Sequence, residues 1–412
     1  MSKFDHNFSM DTQDAIEYVR EKMPEFFGDV PLTCHEIGDG NINYIFRVAA
    51  EDGSKSLIVK HAEGESRSNR TATSTDRNRI EAEILAIERE LAHGNVPEVY
   101  LYDPVMCCVV MEDIGDHKNL RYALIDHETY PTLAEDLAHF MAETLIRTSD
   151  MIMAPAKKKE WTKQFINPDM CSISERLVLT DPFKNSDGRN RLFPENADFL
   201  RRELYEDTAL HLEAAKLKNL FQAKAQALIH GDLHSGSVFV KPGSTMVLDP
   251  EFAYYGPIGY DVGNVMAHFI FAWANAAVTM ADETQRKAFQ TWVEDTMATC
   301  LDRFVEKSLA ILHADCTDPM YTTPGFAQWY VADILRDTAG YAGTELLRRV
   351  IGVAKVKDIE GIEDPQARVR AERICVYAAK ALIMESAKRF SKGADYIALM
   401  AEAEEKAANT TN

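Results

Sequence analysis

The chain has 412 residues, of which 46% are hydrophobic and 27% charged, and it carries a formal net charge of −20. This length exceeds what one simple core usually serves, so we expect two or three lobes with the composition of a globular protein. So acidic a surface disfavours nucleic acids and anionic membranes as partners, although local donors with a metal ion can still hold a nucleotide.

The first third of the chain predicts a small antiparallel sheet. An amphipathic helix at residues 11–24 is followed by three strands within residues 32–62, separated by a glycine-containing loop and a hairpin turn. Two more strands are predicted near 98–103 and 106–111. The helix between these groups has apolar residues at helical spacing, namely Ile80, Ile84, Ile87 and Leu91.

The rest of the chain predicts mainly helices. Helical patterns lie at residues 129–149, 194–224, 262–280, 283–313, 325–352 and 364–388. The most apolar of them, 262–280, contains Asn264, His268 and Asn275, which favours a buried helix over a membrane span. We therefore expect an α+β fold with a small antiparallel-sheet lobe at residues 1–113 and a large, mostly helical lobe at residues 114–412.

The seven cysteines favour a cytoplasmic protein. They form no C-x-x-C pair, so reduced thiols are expected. The amino-terminal stretch is polar and acidic and lacks the basic and apolar regions of a secretory signal.

Lys60 is a candidate phosphate ligand. It ends the predicted third strand, "LIVK", and a lysine at this place can reach nucleotide phosphates, although a surface lysine is the commoner situation. The following helix offers two carboxylates as its partner. Glu81 and Glu83 flank the apolar stripe on opposite sides, with Glu83 slightly closer to it. Both remain possible, with a weak preference for Glu83.

Two further segments of the small lobe are candidate nucleotide contacts. The loop "GDGNIN" at residues 38–43 combines glycines with the amides of Asn41 and Asn43, although an ordinary hairpin loop explains it equally well. The strand "VVMEDIG" at residues 109–115 runs into the lobe junction. Such a connector can offer backbone groups to an adenine edge, and a plain linker is equally compatible.

The strongest chemical signal is "LIHGDLHSGSVFVKPGSTMVLDPEF", residues 228–252. An apolar run ends in H-G-D at Asp232, and a strand, a turn and a returning strand lead to Asp249. This hairpin brings both carboxylates to one end, where one can orient an acceptor hydroxyl while the other binds Mg²⁺. A hairpin with turn-favouring aspartates does not account for H-G-D, D-x-E and their spacing together.

These residues resemble the kinase-like small-molecule phosphotransferases, a family that includes aminoglycoside phosphotransferases, choline kinases and methylthioribose kinases. The family has a protein-kinase-like two-lobed fold and an Asn five residues after the H-G-D aspartate. This chain has Ser237 there, a poorer Mg²⁺ ligand. It also has Asp249-Pro250-Glu251 where protein kinases have D-F-G. On an extended segment Asp249 and Glu251 would share a face and could both bind Mg²⁺.

The combination of Ser237 with D-P-E, together with residues 165–183 and 345–364, is most similar to the methylthioribose kinase branch. That resemblance implies transfer of the γ-phosphoryl of ATP to the 1-hydroxyl of 5-methylthioribose in methionine salvage, by a homodimer. A kinase of another hydroxyl compound and a non-catalytic binding protein are the alternatives.

The resemblance also implies roles for the matching residues. Asp232 would orient or deprotonate the sugar hydroxyl. The residues themselves leave His234 open as a surface residue, a loop anchor or a substrate contact. One or both of Arg348 and Arg349 would bind the sugar or the phosphate, and adjacent helical residues point about 100° apart, so one is expected to face the site. The implied nucleotide contacts are Asn43, Lys60, Glu83, Met111, Glu112, Ile114, Asp249, Pro250 and Glu251, and the metal ligands are Asp249 and Glu251.

Two neighbours of this machinery are expected to be structural. His230 should bond to backbone near the catalytic loop, and Asp261 should cap a helix or brace that loop.

Overall fold

The computed structural model describes three stretches of the chain, residues 2–38, 43–64 and 74–410. The chain divides into two compact units. The first comprises Met1–His117 and Met246–Phe252, and the second comprises Lys118–Thr245 and Ala253–Asn412. The boundary expected at residues 113–115 thus falls a few residues later, and the returning segment that carries D-P-E belongs to the first unit.

The first unit is built on an antiparallel sheet. Its elements are α1 (Thr12–Lys22), α2 (Pro24–Phe27), β1 (Leu32–Ile37), β2 (Tyr44–Ala50), β3 (Ser56–His61), α3 (Asp76–Leu91), β4 (Val99–Asp103) and β5 (Cys108–Glu112). The strands pair antiparallel in the order β1-β2-β3-β5-β4. The small antiparallel sheet that the sequence predicts is confirmed.

Strand β3 presents different residues to the two faces of this sheet. Leu57 and Val59 are fully buried in the apolar cluster that α1 covers. Successive side chains in a strand point to opposite faces, so Lys60 lies on the other face. The alternation of one short strand therefore separates the core of the unit from its charged residues.

From Lys118 onward helices dominate. The elements are β6 (Lys118–Asn119), α4 (Leu120–Ile125), α5 (Leu133–Met141), α6 (Pro155–Gln164), α7 (Pro168–Leu177), α8 (Asp181–Lys184), α9 (Ala197–Leu200), α10 (Thr208–Ala223), β7 (Ala227–Ile229), β8 (Val238–Lys241), β9 (Ser244–Val247), β10 (Tyr254–Gly256), α11 (Ile258–Thr279), α12 (Glu283–Asp315), α13 (Phe326–Ile351), α14 (Lys357–Glu360), α15 (Pro365–Glu385) and α16 (Gly393–Asn409). Together with the sheet of the first unit, this confirms the α+β class.

One long helix expected from periodicity is interrupted. Residues 194–224 contain a 3-10 turn, α9, a π turn (Arg201–Tyr205) and then α10. The interruption has a local cause, since the side chain of Asp207 accepts hydrogen bonds from the backbone N–H groups of Ala209 and Leu210, at 3.1 and 3.0 Å. An aspartate in this role starts a new helix.

Helix α11 forms the centre of the second unit and is buried on nearly every side, which confirms the prediction of a buried helix. Glycines let it approach α13 closely, because a Cβ on Gly259 would lie 2.6 Å from the backbone nitrogen of Thr338. A Cβ on Gly263 would lie 2.7 Å from that of Ala342. Among the helices of the described residues, none is both long and apolar enough to cross a membrane.

Candidate active site

Lys60 forms the centre of a buried charged cluster in the first unit. Its Nζ donates to Oε1 of Glu81 at 2.7 Å and also contacts the carboxylate of Asp249. Lys60 and Glu81 are both buried, so each charge needs a partner, and Lys60 has two, Glu81 and Asp249. The cluster therefore fixes the ammonium group in one place.

The preference for Glu83 as the partner of Lys60 is wrong. Glu83 instead pairs with Arg79 at 2.9 Å, one helical turn earlier. The reason is that the buried face of α3 carries charged residues, including Arg77, Glu81 and Glu88. A helical wheel drawn on apolar residues alone therefore places the centre of that face incorrectly.

Arg77 is a site residue that the sequence reasoning missed. It is fully buried, and its Nη2 donates to Oδ1 of Asn43 at 2.9 Å. The amide of Asn43 in turn donates to Oε2 of Glu251 at 3.1 Å, and Nε of Arg77 lies 3.5 Å from the same oxygen. Its position one helical turn before Glu81 was the signal that could have identified it. Asn43 thus orients Glu251 in this structure.

The expectation that Asp249 and Glu251 share a face assumed an extended D-P-E segment. In the structure this segment is not extended. Pro250 begins a 3-10 turn (Pro250–Phe252) and is buried, as is Glu251. Asp249 adopts a φ of 71°, in a region that residues other than glycine rarely occupy. Both carboxylates nevertheless lie close enough to Lys60 for their charges to raise its pKa.

Among the residues that the structure describes, three carboxylates of this cluster lie near two cations. Glu81, Asp249 and Glu251 face Lys60 and Arg77. Burial raises the pKa of Glu81 and of Glu251 above their usual range, and Lys60 only partly offsets this effect. For Lys60, burial disfavours the ammonium ion, but the surrounding carboxylates outweigh burial and raise its pKa. These carboxylates would attract a bound cation.

This donor set fits Mg²⁺. The side chain of Asp249 is 41% exposed and therefore accessible, and the carboxylate of Glu251 could offer a second oxygen ligand. In the part of the chain that the structure describes, no group of three or more His, Cys, Asp or Glu side chains is placed to hold a metal. Magnesium commonly takes only one or two carboxylates and completes its octahedron with phosphate oxygens and water.

The predicted adenine connector lies at the end of β5. Met111 is buried, and the backbone N–H of Glu112 donates to the carbonyl of Glu98 at 2.8 Å. The carbonyl of Ile114 accepts from the N–H of His117 at 2.9 Å. These two backbone groups are therefore already engaged within the unit. Most of the glycine-containing loop, residues 39–42 with Asn41, lies outside the described residues.

The catalytic loop of the second unit follows β7. The backbone N–H groups of His230 and Gly231 donate to the carboxylate of Asp261 at 2.6 and 3.0 Å. The expectation that Asp261 braces this loop is confirmed. Burial raises the pKa of Asp261 to about 7, against these two hydrogen bonds. Gly231 has a φ of 81°, which a glycine adopts without strain.

Asp232 is surrounded by positively charged and donor groups. Nη2 of Arg348 lies 3.0 Å and Nη2 of Arg349 lies 3.7 Å from its Oδ1. Nε2 of His234 lies 3.2 Å from its Oδ2. Burial alone would raise the pKa of Asp232, but these three neighbours outweigh it and hold that pKa well below its usual range.

The expectation that only one of the paired arginines faces the site is wrong. Nε of Arg349 donates to Oε1 of Glu345 at 2.8 Å, and Nε of Arg348 donates to Oε2 of the same carboxylate. Glu345 precedes them by one helical turn and is fully buried. Because it holds both guanidinium groups, their long side chains converge on Asp232 although their Cα–Cβ bonds diverge.

A buried chain of hydrogen bonds continues from Glu345 to the catalytic loop. His268 lies between Oε1 of Glu345, at 3.2 Å, and the hydroxyl of Ser235, at 2.8 Å. A carboxylate only accepts, so Nε2 carries the proton and Nδ1 accepts from Ser235. The sequence analysis did not identify Glu345 and His268 as site residues. A histidine in an otherwise apolar helix needs a buried polar partner, and this could have pointed to His268.

His234 and Ser237 stabilise the loop that carries Asp232. Nδ1 of His234 accepts from the N–H of Gly236 at 3.0 Å, so its proton is on Nε2, facing Asp232. The hydroxyl of Ser237 donates to the backbone carbonyl of Asp232 at 3.0 Å. Ser237 therefore acts as a loop residue within the second unit.

The two clusters have complementary chemical abilities. An ionised Asp232 can accept a hydrogen bond from an acceptor hydroxyl, and Arg348 and Arg349 can offset negative charge that develops near it. The cluster of the first unit can hold phosphates through Lys60 and a cation through Asp249 and Glu251. Together these are the parts that phosphoryl transfer requires.

Comparison with known proteins agrees with this chemistry. The model of the phosphotransferase enzyme family matches residues 33–300. The methylthioribose kinase of Pectobacterium atrosepticum is 34% identical over 377 residues, covering 90% of this chain and 92% of its own length. That of Exiguobacterium sibiricum is 37% identical over 377 residues, with 90% and 92% coverage. That of Geobacillus thermodenitrificans is 35% identical over 383 residues, with 92% and 93% coverage.

A solved choline kinase from Cryptosporidium parvum has a TM-score of 0.50 at 13% identity, covering 96% of this chain and 97% of its own. This likeness concerns the fold alone and agrees with the kinase-like fold expected from the sequence. The similarity to the methylthioribose kinases extends over nine tenths of the chain. The chain therefore belongs to the phosphotransferase enzyme family and, within it, to the methylthioribose kinase family.

Proposed function

We propose that this protein is a kinase that transfers the γ-phosphoryl group of ATP to 5-methylthioribose, giving 5-methylthioribose 1-phosphate in methionine salvage. The observation that carries the proposal is the identity of 34 to 37% with methylthioribose kinases over at least 90% of the chain. The presence of Lys60, Asp232, Asp249 and Glu251 in two structured charged clusters supports a catalytic protein over a binding protein without catalysis.

The first unit binds the nucleotide in this proposal. Lys60, held by Glu81, contacts the phosphates, and Asp249 and Glu251 hold Mg²⁺. When bound, the metal ion neutralises charge on the phosphates and leaves the transferring group more open to attack. Asn43 keeps Glu251 in position. The remaining nucleotide contacts that we propose are Met111, Glu112, Ile114 and Pro250.

The second unit binds the acceptor. Asp232 accepts a hydrogen bond from the 1-hydroxyl and so aims its oxygen at the γ-phosphorus. Because the pKa of Asp232 is held low, it is a weak base toward a free hydroxyl. In a loose phosphoryl-transfer transition state the proton leaves late, once the oxygen has begun to bond phosphorus, so orientation is the main task.

Arg348 and Arg349 complete the acceptor site. Their guanidinium groups converge on Asp232, where the transferred phosphoryl would also arrive, and arginine suits phosphate because of its planar fork of donors. His234 donates to Asp232 and keeps that carboxylate in one orientation. We propose contact with the sugar or the phosphate for both arginines.

A coupled ADP-release assay tests the proposal. Purified protein with ATP and Mg²⁺ should turn over 5-methylthioribose, while choline, an aminoglycoside and homoserine should give only the background rate. Phosphorus NMR of the product should place the phosphate on the anomeric carbon. Release of ADP with one of the other acceptors, and none with 5-methylthioribose, would contradict the assignment.

We also propose a homodimer located in the cytoplasm. Light scattering of the purified protein tests the assembly, and fractionation of the source cells tests the location. A monomer, or recovery outside the cytoplasmic fraction, would correct these two statements without affecting the reaction.

A further inference from the structure

Asp358 is a buried carboxylate to which the proposed mechanism gives no role. Asp358 lies in the short helix α14 and is completely buried. Its backbone carbonyl accepts from Nδ2 of Asn275 at 2.7 Å, which fixes the main chain. In contrast, neither carboxylate oxygen has a hydrogen-bond partner among the residues that the structure describes.

Two arginines near Asp358 also have buried N–H groups without acceptors. Within the described residues, Nε of Arg121 and Nη2 of Arg349 make no hydrogen bond. Arg121 opens α4, where its own N–H donates to the side chain of Asn119 at 3.1 Å. Burial raises the pKa of Asp358 to about 6, and both arginines act against that rise. The helices that carry Asp358 and Arg121 are in contact, because Nζ of Lys357 in α14 donates to the hydroxyl of Tyr122 in α4 at 2.6 Å.

This group of polar atoms adjoins the catalytic carboxylate. Nη2 of Arg349, the atom without a hydrogen bond, lies 3.7 Å from Oδ1 of Asp232. Nη2 of Arg121 lies 3.5 Å from Nδ1 of His234, whose Nε2 lies 3.2 Å from Oδ2 of Asp232. The acceptor site therefore continues from Asp232 through both arginines toward Asp358.

Leaving a carboxylate and two guanidinium N–H groups buried without partners is costly, so a ligand that satisfies all of them would gain affinity. A cation would satisfy Asp358 and repel the arginines, whereas an anion would do the reverse. A hydroxyl group both donates and accepts. The carboxylate of Asp358 can only accept hydrogen bonds, and the guanidinium groups beside it can only donate them. A neutral molecule with neighbouring hydroxyl groups can satisfy both kinds of group.

We propose that Asp358, Arg121 and Arg349 form the subsite for the secondary hydroxyls of a polyhydroxylated acceptor. Each hydroxyl there donates to the carboxylate of Asp358 or accepts from a guanidinium N–H. This inference rests on the proposed function, because for 5-methylthioribose these are the hydroxyls on C2 and C3, next to the one that receives the phosphoryl group. The subsite selects a sugar over choline-like cations.

The experiment compares 5-methylthioribose with its 2-deoxy and 3-deoxy analogues on three proteins: wild type, Asp358→Asn and Glu360→Gln. Glu360 lies on the same short helix but is exposed, so its variant is the matched control. Wild type and Glu360→Gln should lose roughly 10- to 100-fold in kcat/KM with at least one deoxy analogue, the range for an unmet buried hydrogen bond. In Asp358→Asn this discrimination should shrink to a few-fold, with KM for 5-methylthioribose raised and KM for ATP unchanged.

The outcomes separate the inference from the function on which it rests. If wild type does not turn over 5-methylthioribose, the proposed function fails and the inference fails with it. If wild type is active but Asp358→Asn keeps the full discrimination, or loses activity equally with all three sugars, Asp358 is structural and only the inference fails. If Asp358→Asn does not fold, Arg121→Lys provides the same test, since it removes one of the unused N–H donors while keeping the charge.

Discussion

The first unit places a buried cation among carboxylates, whereas the second places a carboxylate among cations. Lys60 contacts Glu81 and Asp249. Asp232 is approached by Arg348 and Arg349. The pKa shifts differ accordingly, since those of Glu81 and Glu251 are raised by burial while that of Asp232 is held down by its neighbours in spite of burial.

The two clusters also differ in the counter-charges found among the described residues. In the second unit, Glu345 receives both arginines and His268, so that cluster supplies its own counter-charges. Among the described residues of the first unit, the three carboxylates of Glu81, Asp249 and Glu251 lie near two cations, Lys60 and Arg77, and such a group of carboxylates attracts a bound cation. We therefore expect metal dependence to follow the residues of the first unit and orientation of the acceptor to follow those of the second.

The largest expected effect is that of Asp232→Asn. The side chain keeps its shape but loses the negative charge that orients the acceptor hydroxyl, so kcat should fall by ~10²–10⁴. KM for ATP should change little, because the nucleotide contacts that we propose belong to the first unit. The coupled ADP-release assay measures both constants, and Asp198→Asn, an exposed aspartate at 85%, is the control. Full turnover by Asp232→Asn would remove Asp232 from the mechanism.

The next effect concerns the metal. Glu251→Gln should raise the Mg²⁺ concentration for half-maximal activity by about 100-fold, because losing a ligand should cost at least as much as losing a supporting residue. Ser237→Ala should leave that concentration nearly unchanged, since its hydroxyl is engaged with the backbone of Asp232. Mg²⁺ titrations of both variants at saturating ATP test this ranking. The opposite ranking would make Ser237 a ligand.

A smaller effect comes from the buried His268. Burial lowers its pKa to about 3 in the folded protein, while an unfolded histidine titrates near 6.5. As pH falls below 6.5, only the unfolded chain takes up a proton, so the stability that neutral His268 contributes at pH 7 is lost progressively down to pH 3. Between pH 7 and pH 5 this amounts to about 2 kcal/mol, from 1.5 pH units at 1.36 kcal/mol each.

Urea unfolding of wild type and His268→Gln at pH 7 and pH 5 measures this contribution. Glutamine can still donate to Glu345 and accept from Ser235, so the variant should fold. All other titrating groups are common to the two proteins. The difference between the pH dependences of their free energies of unfolding therefore gives the contribution of His268. Equal pH dependence in both would mean that His268 is not held neutral.

The order of elements in the small sheet and the residues at the centres of the two charged clusters were predictable from sequence because they depend on local patterns. Alternation in β3 predicted the face on which Lys60 lies, and H-G-D and D-P-E marked Asp232 and Asp249. Asp261 was predicted as a brace because a polar residue at the start of a buried helix needs local partners.

Contacts between residues far apart in sequence were not predictable in this way. Arg77 and Asn43 meet at Glu251, and Arg121 and Asp358 lie near each other, through tertiary packing that no periodicity reveals. The expectation for the paired arginines failed for a related reason. That expectation used only the directions in which the two side chains leave the helix. The positions of their guanidinium groups are instead determined by the buried carboxylate of Glu345, which binds both of them.

The smallest effect tests the correction on α3. Glu81→Gln removes the charge that fixes the ammonium of Lys60, which then retains Asp249 as its partner. We expect KM for ATP to rise roughly tenfold, the size of one charge-assisted hydrogen bond. Glu83→Gln is the matched control on the same helix, because Glu83 pairs with Arg79, and its KM for ATP should equal that of wild type. If Glu83→Gln had the larger effect, the nucleotide-bound protein would use a different pair from the one in this structure, with Glu83 in place of Glu81 as the partner of Lys60.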